Sequence, residues 1–77
     1  MNITWKDGFS IKVRIDGNTV VISANKDGLL SLAAQLAALA EAQPGNHIHY
    51  DESNSLDEGS AEMIIEHFCE KKDSPRS

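Results

Sequence analysis

Cysteine occurs once in these 77 residues, at Cys69, tryptophan and tyrosine once each, and proline twice. A single thiol forbids an intrachain disulfide, and no Cys/His grouping has zinc-finger spacing, so a reducing, cytoplasmic setting is expected. Long hydrophobic runs are also missing. The start, MNITWKDG, has no basic region leading into an apolar run, and LLSLAAQLAALA is broken by Ser31 and Gln35. Neither a signal peptide nor a membrane span is expected. The most informative shortage is of positive charge. No Lys or Arg stands between Asp27 and Glu70, an interval rich in Asp and Glu, and the net charge is −5. Nucleic-acid binding needs basic groups to displace counterions, so this distribution argues against DNA or RNA and for a basic partner.

A chain of this length buries only about 60% of its unfolded surface, which sets a thin core within one small domain, residues 1–70, followed by a solvated, disordered tail, 71–77. Phe9, Ile11, Val13 and Ile15 alternate with polar residues, the period of a half-buried strand. Asp16-Gly17-Asn18 then supplies turn residues before TVVISA, which predicts a β-hairpin. NITW can add a short strand ahead of the Asp7-Gly8 turn. From Leu29 the period changes: Leu29, Leu32, Ala33, Leu36, Leu39 and Ala40 recur at steps of three and four and predict an inward helical stripe. Leu30 sits at its edge, Asn25 or Asp27 caps the first turn, and Pro44-Gly45 stops the helix. His47, His49 and Asp51 alternate with Ile48 and Tyr50 in a third strand. AEMIIEHF reads as a fourth, with a short helix as the alternative; its facing is ambiguous, since Glu62 and Glu66 out would place Met63 and Ile65 inside and leave Ile64 and Phe68 partly exposed. The order ββαββ predicts an α+β fold in which one helix packs on one face of a mostly antiparallel four-stranded sheet, the other face remaining open.

KDGLLSLAAQLAALAE together with HIHYDESNSLDEGSAEMIIE resembles the immunity protein 32 family of bacterial polymorphic toxin systems. The likeness rests on Gly28-Leu29 at the helix start, the Leu-Ala helix, His47-x-His49-Tyr50-Asp51, and Leu56, Gly59, Ser60 and Glu62 leading into MII. It covers roughly residues 20 to 68. Tyr50 stands where Leu is the more usual residue. The resemblance implies a cytoplasmic, non-enzymatic antidote whose partner is a cognate toxin effector domain, and it implies no catalytic residues.

The residues themselves leave several chemistries to weigh. His47 and His49, two apart on a strand, point the same way and could share a zinc ion with Asp51 or His67, yet nothing supplies an orienting second layer of contacts. The expectation is no metal and no cofactor. Ser53, Ser55 and Ser60 have carboxylates and histidines nearby in sequence, and His67 with Cys69 could form a thiolate pair. No nucleophile turn or phosphate loop frames any of them, so no catalytic residue is expected. Leu56, Gly59 and Ser60 are explained by a core plug, a turn and a local backbone bond. What remains is an acidic connection. Asp51, Glu52, Asp57, Glu58 and Glu62, with Tyr50, His47 and His49 beside them, are the expected partner-binding residues, steering a basic toxin domain by charge. The alternative is a small structural or regulatory module whose open sheet face buries against a second copy as a homodimer.

Overall fold

The computed structural model describes residues 4–69 and has four short strands and one helix: β1 (Ile11–Asp16), β2 (Thr19–Ala24), α1 (Lys26–Glu41), β3 (His47–Tyr50) and β4 (Met63–Glu66). The α+β class and the ββαββ order agree with the sequence. The single four-stranded sheet does not: β1 pairs only with β2 and β3 only with β4, giving two antiparallel two-stranded sheets. The reason lies in the junction between them. Asp57 N–H donates to the Ile11 carbonyl and Ala61 N–H to the Val13 carbonyl, each at 2.8 Å. Both positions rise together, so the 57–61 segment runs parallel to β1, but it advances four residues while β1 advances two. That surplus acts as a bulge and prevents a regular ladder.

In β1 and β2 the register sets Ile11 opposite Ala24, Val13 opposite Ile22, and Ile15 opposite Val20. These six share one face. Its inner end is buried, whereas Ile15, Val20 and Ile22 are 65%, 62% and 43% exposed near the turn. The NITW strand is not formed where it is described, since Thr4 and Trp5 are irregular. Trp5 instead stacks on Phe9, with ring centroids 4.4 Å apart, and meets Tyr50 edge-on. The 71–77 tail lies outside the described residues.

Asn25 is the N-cap of α1; its side-chain oxygen accepts from Gly28 N–H at 2.8 Å and also from Ser10 N–H, while its amide donates to the Gly8 carbonyl. One side chain thus satisfies an orphan helix donor and ties the helix start to the β1 approach. The face that α1 buries is not the expected one. Gly28, Ser31, Leu32, Gln35 and Leu39 are inside, while Leu29, Ala33, Leu36 and Ala40 are exposed and Leu30 is 42% exposed. The helix is turned by roughly a quarter turn about its axis from the all-apolar stripe. Hydrogen bonds explain the preference. Ser31 Oγ accepts from Lys6 N–H, Gln35 Nε2 donates to the Thr4 carbonyl, and Tyr50 OH donates to Gln35 Oε1 at 2.8 Å. These buried polar atoms all have partners, so their desolvation is compensated.

Gly28 is required by close approach. A Cβ there would stand 2.5 Å from the Ser10 carbonyl oxygen and 2.9 Å from Ile11 Cγ1, so the first turn of the helix lies in near backbone contact with the residue that leads into β1. At the other end Ala42 N–H closes the helix on the carbonyls of Ala38 and Leu39, and His67 Nδ1 lies 3.1 Å from the Leu39 carbonyl oxygen. The core between α1 and the sheets comprises Ile11, Val13, Leu32, Leu39, Ile48, Tyr50 and Leu56. Each fully buried aliphatic side chain contributes about 1.5–3 kcal/mol.

Candidate partner-binding site

β3 and β4 pair His47 with Glu66, Ile48 with Ile65, His49 with Ile64, and Tyr50 with Met63. Alternation therefore directs Ile48, Tyr50, Met63 and Ile65 toward the core, as the outward placing of Glu62 and Glu66 implies for Met63 and Ile65, and leaves His47, His49, Ile64 and Glu66 on the outer face. Ile64 is 61% exposed at the centre of that face. Tyr50 is fully buried and is removed from the surface set: its ring belongs to the core, and burial raises its phenol pKa above the ordinary value.

The connection from Asp51 to Glu62 is folded by its own polar groups. Asp51 Oδ1 accepts from Ser53 N–H, Ser53 Oγ and Asn54 N–H. The Asp51 carbonyl accepts from the N–H groups of Ser55 and Leu56, winding a single turn that delivers Leu56 into the core at 5% exposure. Gly59, at φ +88°, reverses the chain, and its N–H donates to the Glu52 carboxylate. Ser60 Oγ accepts from Val13 N–H at 3.1 Å, a bond to β1 and not to nearby backbone. Asp57 Oδ2 accepts from Ser10 Oγ.

The five expected carboxylates therefore divide by role. Asp51 and Asp57 are half-buried and hold the connection together, Glu52 is exposed yet also ties the turn through Gly59 N–H, and Glu58 and Glu62 are exposed. The hydrogen bond from the Ser53 hydroxyl, first among several, holds the Asp51 carboxyl below its usual range. Asp51 is accordingly a fixed negative charge at neutral pH. Its free oxygen, Oδ2, lies 3.9 Å from His49 Nε2, and Glu62 Oε1 lies 3.7 Å from the same nitrogen. An open depression of about 280 Å³ is lined by Asp51, Glu52, Ser53, Ser60 and Glu62.

The structure thus joins His49, Asp51 and Glu62, whose potential ligand atoms lie within 4.8 Å of one another. It does not join His47 to them, because His47 faces Glu66, nor His67, which is engaged at the helix end. Donors of this kind suit zinc, but His49 and Glu62 are solvent-exposed, and of the three only Asp51 is fixed by hydrogen bonds to other groups. Sequence reasoning places Glu66 outward and Ile64 partly exposed, as found, but does not pair Glu62 with His49 or count Glu66 and Ile64 in the candidate site. That grouping depends on the β3–β4 register, which an irregular twelve-residue connection, 51–62, does not reveal.

A small α+β domain with a carboxylate-rich outer hairpin is the class these features define. Residues 19–67, more than half of the chain, match the family Immunity protein 32, and the protein belongs to that family. Among curated proteins and among solved structures there is no significant match. The family match spans β2 through β4 and so includes the whole acidic connection.

Proposed function

We propose that the protein is a non-enzymatic, cytoplasmic immunity protein that binds a cognate bacterial polymorphic or contact-dependent toxin domain and blocks its active site. The observation that carries this reading is the outer face of β3 and β4 with its connection. Glu62 and Glu66 stand two residues to either side of exposed Ile64, and Glu52 and Glu58 are exposed in the connection, in a family-matching stretch without Lys or Arg beyond Lys26. Long-range attraction to a basic surface accelerates encounter, while a desolvated apolar residue flanked by charge supplies short-range hold. His49 Nε2 lies between two carboxylates, 3.9 Å from Asp51 and 3.7 Å from Glu62.

The test is co-expression with the toxin domain encoded beside this gene, where survival is expected with the wild-type chain. Binding kinetics locate the surface. Charge reversal at Glu58 and Glu62 is expected to slow association about tenfold at low salt, with a smaller effect at high salt. An association rate indifferent to both changes removes the acidic face from the mechanism.

A further inference from the structure

The exposed side of α1 carries no charge from Gly28 to Ala40, and its large residues Leu29, Leu30 and Leu36 are 55%, 42% and 43% exposed. A helix that is apolar nearly all round is normally covered. The uncovered surface continues onto the first hairpin. Ile15, Val20 and Ile22 share the face of Ile11 and Ala24, the pair against which Gly28 packs, so they lie on the helix side of the sheet. Residues 70–77, EKKDSPRS, are polar apart from one proline, and residues 1–3 include two apolar side chains, Met1 and Ile3.

The pattern on the helix identifies the occupant. Leu29, Ala33, Leu36 and Ala40 form one stripe at steps of four, three and four, and the stripe is symmetric about its midpoint with large and small residues exchanged. Two copies laid antiparallel place Leu29 against Ala40 of the second copy and Leu36 against its Ala33, so every leucine meets an alanine. Self-complementarity of this kind defines an isologous two-fold contact, and the alanines permit an interaxial distance at the close end of the 8–10 Å range. Antiparallel pairing sets both Lys26 and Asp27 of one copy within two residues of Glu41 of the other, so one attraction and one repulsion meet at each end and the apolar stripe between them decides the register. A stable interface takes about 800 Å² from each partner. The stripe is only about 17 Å long, so Ile15, Val20 and Ile22 must supply the remainder.

We infer that the protein forms a symmetric homodimer through the outer face of α1 and the adjoining apolar face of the first hairpin. This leaves the acidic face of β3 and β4 outward on both copies and does not depend on the immunity reading. The experiment is light scattering after size exclusion on tag-free protein from about 1 to 100 µM. A dimer is expected for the wild type, and Leu36→Glu, at an exposed position, is expected to weaken it at least a hundredfold with an unchanged circular dichroism spectrum. Cross-linking gives the orientation. In a Cys69→Ser background, the double variant Leu29→Cys, Ala40→Cys is expected to link into dimers on mild oxidation while each single variant stays unlinked. A monomer at 100 µM overturns the inference. So does a dimer unaffected by Leu36→Glu, which would point to the free edge of β2, and so does linkage by Leu29→Cys alone, which would mean parallel helices.

Discussion

At the residue scale the fold turns on a few positions where ordinary expectations for a side chain are reversed. Gly28 stands inside a helix, where alanine is intrinsically better by about 1 kcal/mol, yet an added methyl would collide with backbone at Ser10 and with Ile11. Gly28→Ala is therefore expected to destabilise the protein by about 1–3 kcal/mol, measured as a lower urea midpoint. Tyr50→Phe keeps the packing but leaves Gln35 Oε1 without its donor, at a cost of about 1–3 kcal/mol. The same change alters the alkaline limb. Because the folded phenol titrates above its unfolded value near 10, its contribution is complete below about pH 10 and is lost as pH rises through the folded pKa. The variant should show less loss of stability there. Asp51 has the opposite sign. Its lowered pKa gives stability present above about pH 4 and lost as pH falls through the folded value, so Asp51→Asn is expected to flatten the acid limb of a stability-against-pH curve.

Among the elements, what could be read from the chain and what could not have separate physical causes. Alternation over residues 9–16 and the Asp-Gly-Asn turn define the first hairpin because both signals are local, and the Asn25 cap and Gly45 stop are local as well. The facing of α1 is not. Counting apolar residues selects Leu29 and Leu36, whereas the chain buries Ser31 and Gln35 because Thr4, Lys6 and Tyr50, distant in sequence, satisfy them. The broken sheet has a similar origin: its cause is a two-residue surplus between 57 and 61, invisible until the partner strand is known. For the acidic site, the carboxylate composition is legible, but the division into structural Asp51 and Asp57 and exposed Glu52, Glu58 and Glu62 requires the folded loop. The cap itself is testable. Asn25 binds Gly28, Ser10 and Gly8 at once, so Asn25→Ala is expected to cost about 2 kcal/mol, the upper end for caps, read by thermal or denaturant unfolding.

Across the whole molecule, carboxylates gather on the second hairpin and its connection, and exposed leucines and isoleucines on the outer side of the helix and one face of the first hairpin, whose other face carries Lys12, Arg14 and Asp16. The protein belongs to the Immunity protein 32 family, and among the described residues no helix is long and apolar enough to cross a membrane. Doubling the ionic strength is expected to slow association with a basic toxin domain while leaving the helix-mediated self-association unchanged or slightly stronger, since one contact is electrostatic and the other apolar. The two main-chain bonds at Asp57 and Ala61 have a mechanical meaning for this arrangement. With the side-chain bonds Val13–Ser60 and Ser10–Asp57 they act as the stitching between two leaves, and a seam without a regular ladder is expected to yield before either leaf in denaturant. The amide protons of those two residues should therefore exchange with solvent sooner than those within either leaf.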